Sequence, residues 1–128
     1  MEAEMLEVQS LPPYVEPFLQ LSQEYFSEAS HQLVKAALRV VVEKLDGMTR
    51  YDGTPLVLHS GGTATIVMCE IGLGRNSVIS TLLHDVVRLE LMDLNRIGRH
   101  YGEQCIGILK GLCNISDVDT KAAEDQVD

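Results

Sequence analysis

Apolar residues recur along this chain at i, i+3, i+4 and i+7, the spacing that gathers them on one side of an α-helix. Val34, Ala37, Leu38, Val41 and Leu45 form the cleanest such face, and Asp46-Gly47 closes it. Val15, Phe18, Leu19, Ser22 and Phe26 form another, with one polar break. Ile79, Leu82, Leu83 and Val86 repeat the spacing, as do Cys105, Ile108, Leu109 and Leu112. A short helix is expected between these two, around Leu94, Ile97 and Tyr101. The segment from Thr63 to Ile71 is rich in β-branched residues, which favour strands. Its apolar residues Ala64, Val67, Met68 and Ile71 nevertheless fall at helical spacing, and Gly72 and Gly74 supply a stop, so it reads as a helix. The predicted fold is all-α, about six helices around one core.

A chain of 128 residues with 45 % apolar content suits one domain with a core of its own. That helical domain is expected over residues 14–128. Residues 1–13 read as an acidic flexible arm, with Glu2, Glu4 and Glu7, no basic residue, and Leu11-Pro12-Pro13 at its end. The arm lacks the basic and apolar regions of a signal peptide, and no apolar run is long enough for a bilayer. Three cysteines without CxxC spacing (Cys69, Cys105, Cys113) indicate neither a disulfide framework nor a zinc cluster, which suits the cytoplasm. A net charge of −9 argues against nucleic acid and membrane surfaces as partners. Asp117, Asp119 and Thr120 look like a helix start, yet Lys121 to Asp128 bring little to bury. The end reads either as the cut edge of a longer protein, leaving the bundle incomplete and its apolar patch open to self-association, or as a frayed polar tail.

Few residues offer chemistry. His84 and Asp85 sit side by side in a strongly periodic helix, where such a pair is more often part of a core or rim than of a metal site. His59 follows the apolar stretch Pro55 to Leu58, and His31 and His100 read as ordinary surface residues. There is no P-loop, no Gly-x-Ser-x-Gly and no Gly-x-Gly-x-x-Gly.

The order of these pieces is more informative. Arg50, the Gly53-Thr54-Pro55 turn and His59 come first, and 24 residues separate His59 from His84. Leu82-Leu83-His84-Asp85-Val86-Val87 is then followed by Ile97, Tyr101-Gly102 and Gly111-Leu112. Over about residues 31–118 this order resembles the amino-terminal, HD-type hydrolase domain of long RelA/SpoT homologues. The resemblance implies an HD-like helical bundle and a manganese site of two histidines and two aspartates, which removes the 3′-pyrophosphate from (p)ppGpp. The positions carried over are His59, His84 and Asp85 as metal ligands and Arg50 as the arginine that packs on guanine. A metal-bound water of lowered pKa would supply the hydroxide.

The chain departs from the family at three places. It ends before the segment that provides the fourth ligand. Tyr51 stands where a basic residue is usual. Arg88 and Leu89 replace the acidic pair that positions and deprotonates the attacking water in the family. Leucine can do neither task, and Arg88, at i+3 from Asp85, can pair with it and add a cation beside a cation site. The expectation is therefore a degenerate hydrolase domain with no catalytic set intact and no resident cofactor. Its ligands His59, His84 and Asp85 would be vestigial. It would bind guanine nucleotide weakly and dock on or regulate a synthetase domain of the same parent chain, which transfers pyrophosphate from ATP to GDP or GTP. The alternatives are an active manganese-dependent (p)ppGpp 3′-pyrophosphohydrolase, or an HD phosphohydrolase of another nucleotide.

Overall fold

The computed structural model describes residues 11–113. Among them are six α-helices and no strand, as the apolar period predicts. Helix α1 is Glu16–Tyr25, entered through a 3-10 turn at Pro13–Val15. Helix α2 is Glu28–Lys44, α3 is Leu56–Thr65, α4 is Arg75–Arg88 and α5 is Leu94–Tyr101. Helix α6 covers residues 103–113. The helix start expected near Asp117–Thr120 and most of the acidic arm lie outside the described residues, although Leu11 packs against the core. No helix among the described residues is long and apolar enough to cross a membrane.

Local chemistry sets the helix ends. The Ser27 hydroxyl accepts the Ser30 N–H at the start of α2, and the Asp93 carboxylate accepts the Asn95 N–H at the start of α5. Gly47, with φ +76°, turns the chain away after α2, a conformation that costs glycine little. Helix α4 stops differently: Glu90 takes φ +59°, a left-handed conformation unusual for a residue with a side chain.

The apolar faces read from the sequence meet in one core. Val34, Ala37, Leu38, Val41 and Leu45 of the second face are buried, as are Ile79, Leu82, Leu83 and Val86 of the fourth. Helix α4 is the hub, and its contacts with α2 and α3 are the most extensive between helices. This centrality fixes the site, because α3 carries His59 and α4 carries His84 and Asp85.

Two expectations need correction. The helix expected from Thr63 begins earlier, at Leu56, and passes into a π-helical turn at Ile66–Ile71. The β-branched threonines that favoured a strand turn their hydroxyls back onto the helix, Thr63 Oγ1 donating to the His59 carbonyl at 3.0 Å and Thr65 Oγ1 to that of Gly61 at 2.8 Å. Ala64 and Met68 are buried as the spacing requires, but Ile71 is 60 % exposed. The π turn's i→i+5 bonding adds a residue to the turn and carries Ile71 off the buried face. His31 is not a surface residue: it is buried, with Nδ1 2.9 Å from the Ser22 hydroxyl. The polar break in the first apolar face is thus half of a buried hydrogen-bonded pair between α1 and α2.

Candidate functional site

The chain between α2 and α3 folds into a tight turn. Arg50 N–H donates to the Thr54 carbonyl at 2.7 Å, Gly53 N–H to the Arg50 carbonyl at 2.9 Å, and Thr54 N–H to Asp52 Oδ1 at 3.0 Å. Leu56 N–H then donates to the Met48 carbonyl at 2.9 Å, which seats the turn on the first turn of α3. Arg50 is thereby held beside His59, and its Nη1 lies 3.3 Å from His59 Nδ1. A guanidinium can only donate, so Nδ1 accepts and the ring proton sits on Nε2. The Arg50 guanidinium carbon also lies 5.7 Å from the centre of the Tyr51 ring, within cation–π range.

On the facing helix, Asp85 is buried and fully engaged. Ser60 of α3 donates its hydroxyl to Oδ2 at 3.2 Å, tying the two helices together. Arg88 donates Nε and Nη2 to Oδ1 at 3.2 and 3.0 Å. The pair is asymmetric, the Arg88 side chain being 41 % exposed and that of Asp85 8 %. Arg50, His59, His84, Asp85, Arg88 and Leu89, all singled out in the sequence, line one cleft of about 620 Å³ together with Met48, Tyr51 and Leu56. A smaller hollow of about 150 Å³ reaches the same histidines from the side of Ser60, Thr63 and Leu112. Glu90 faces a different groove, with Val87 and Leu91. Ser60 was not visible as a site residue, because its partner lies 25 positions away. The available signal is a small polar residue on the buried face of α3 with Leu56 and Ala64.

His84 is half-buried on the cleft wall. Burial pushes its pKa below the ordinary histidine value of 6.5, with Arg88 and His59 adding to the effect and Asp85 opposing it. Folding therefore favours the uncharged ring. Its contribution to stability is fully present above the unfolded pKa and is lost as pH falls through the lower folded pKa. The urea midpoint of the wild type should accordingly drop between about pH 7 and pH 5, and His84→Gln should show a smaller drop. Parallel pH profiles for the two proteins would remove this assignment.

In this structure the groups that the resemblance would give a manganese ion are engaged with one another. Asp85 Oδ1 already holds a guanidinium, and Asp85 Oδ2 holds the Ser60 hydroxyl. His59 Nδ1 faces a second guanidinium. Among the described residues, no three His, Cys, Asp or Glu side chains come together as a group that could hold a metal. Arg88, which stands where the resemblance has an acid, brings a protein cation onto Asp85. The cleft is therefore an arginine-histidine site built around one buried carboxylate.

The fold and this cleft describe an all-α bundle whose chemistry-bearing residues meet at the junction of α3, α4 and the turn before α3. Comparison with known proteins narrows the class. The chain is 23 % identical over 109 residues, 85 % of its length, to the Mycobacterium leprae (strain TN) protein named "Probable GTP pyrophosphokinase". It is 28 % identical over 116 residues, 91 % of its length, to a probable chloroplastic GTP diphosphokinase of Oryza sativa subsp. japonica. The matched regions make up 14 % and 16 % of those two relatives, so the chain spans a small part of either. Both likenesses support the RelA/SpoT resemblance. No protein-family model matches the chain, and no solved structure matches it.

Proposed function

We propose that this chain is the HD-type, hydrolase-like domain of a RelA/SpoT homologue, that it has lost hydrolytic competence, and that it serves its parent by docking on or regulating a (p)ppGpp synthetase domain. The observation that carries the reading is the Arg88 guanidinium seated on Asp85. A carboxylate that the family uses toward a cation has its charge answered from within the same helix, and Leu89 beside it can neither orient nor deprotonate a water. The two relatives are named as a GTP pyrophosphokinase and a GTP diphosphokinase, which supports a synthetase as the functional partner. Guanine nucleotide is the ligand class proposed for the cleft, with Arg50 among the residues that would hold it.

The test is hydrolysis of ppGpp by the full-length parent with manganese present, together with metal analysis of protein purified without chelator. Pyrophosphate release should stay at background, and manganese should be found at far less than one per chain. A manganese-dependent release of pyrophosphate by the wild-type parent would install the active-hydrolase reading in place of this one.

A further inference from the structure

The charge of the cleft runs against the charge of the molecule. The chain carries 19 acidic and 10 basic residues, a net charge of −9. The cleft is lined by two arginines, two histidines and a single carboxylate. Asp52 is the acidic residue nearest Arg50 along the chain, and its Oδ1 already accepts the Thr54 N–H. Arg88 spends Nε and Nη2 on Asp85 Oδ1, and Arg50 spends Nη1 on His59. Each guanidinium has five N–H donors, so both keep donors for a further acceptor. Met48, Leu56 and Leu89 give the same cleft apolar walls, which strengthen any charge-assisted hydrogen bond made against them. Its volume of about 620 Å³ lies in the range of small-molecule pockets.

We infer that this cleft is a metal-independent binding site for phosphate-bearing anions of the pyrophosphate class, held by Arg88 and Arg50, with Asp85 as the built-in competitor for the Arg88 guanidinium. The planar guanidinium fork matches the paired oxygens of a phosphate group. An anion entering the cleft must share Arg88 with Asp85. The inference rests on the lining of the cleft and stands without the family reading, since free pyrophosphate and the diphosphate of a nucleotide offer the same oxygens.

The experiment is calorimetric titration of the chain in EDTA with three probes: inorganic pyrophosphate, GDP and guanosine. Pyrophosphate and GDP should bind, more weakly as salt rises, and guanosine should not. The EDTA arm decides the role of metal, because added manganese would be chelated by the pyrophosphate itself. Arg88→Leu and Arg50→Gln should each weaken binding about tenfold, the scale of such a loss. Arg88→Leu also leaves Asp85 unpaired and can fail to fold, so Asp85→Asn is the stronger arm. It removes the competing charge and should tighten pyrophosphate about tenfold, a direction opposite to that of general damage. Failure of pyrophosphate to bind in EDTA or unchanged affinity in Asp85→Asn would each overturn the inference. Pyrophosphate binding without GDP binding upholds the anion site and removes the nucleotide from the proposed function. Guanosine binding without pyrophosphate binding does the reverse.

Discussion

The double replacement Arg88→Glu with Leu89→Asp should raise ppGpp hydrolysis by the full-length parent from background by about a hundredfold to ten-thousandfold, the usual worth of general acid–base help. Three changes at one end of α4 underlie the figure. Loss of the Arg88 guanidinium frees Asp85 Oδ1, which now receives both of its bonds. The two introduced carboxylates stand at the wall of the cleft that Arg88 and Leu89 line in the wild type. One cation also leaves the neighbourhood of His84, whose pKa it helps to depress. The cost falls on stability. Leu89 packs against the core, and a carboxylate there should cost about 1–2 kcal/mol, so rates belong on the fraction that is folded. Activity in the double variant would identify Arg88 and Leu89 as the lesion. Silence in a well-folded double variant would show that other positions matter too, Tyr51 first, which is 95 % exposed and stands where the RelA/SpoT resemblance expects a basic residue.

Leu83→Ala should destabilise the domain by about 2–5 kcal/mol, a large share of the roughly 5–15 kcal/mol typical of a domain. Leu83 is fully buried in α4, the helix that packs on both α2 and α3. Truncating it leaves a gap in the core, and close packing limits collapse into that gap. A guanidinium melt should show a lower midpoint with the slope unchanged. Leu58, 47 % exposed on α3, is the control, and Leu58→Ala should shift stability by less than about 0.5 kcal/mol. Equal losses at the two positions would mean that α4 is not the hub.

How far the sequence reaches is clear from particular residues. Helical faces repeated at 3.6 residues were readable because burial alone decides them: every apolar position assigned to the second and fourth faces is inside. The Arg88–Asp85 pair was readable because it is local, three residues apart on one helix. What depends on another element was not. Ser60 is a plain helix residue until Asp85 is brought across from α4. His31 counts as a surface residue until Ser22 of α1 is placed beside it. The π turn escaped for a different reason. Ala64, Val67, Met68 and Ile71 fit an ordinary α-helix, and nothing in the residue types announces an extra residue in the turn.

That extra residue has a consequence for how the chain can change length. In Ile66–Ile71 the Gly72 N–H reaches back to the Val67 carbonyl, five positions away, and the Leu73 N–H reaches the same oxygen from six. A turn wound this way stores one position of slack just downstream of the helix that carries His59. A one-residue deletion there can be absorbed by rewinding to α geometry, with Met68 and the start of α4 kept in place. The same deletion inside α4 would turn His84 and Asp85 by about 100° away from the cleft, because each residue advances a helix by that angle. Indels in such a lineage should therefore collect between positions 66 and 74 and spare 75–88.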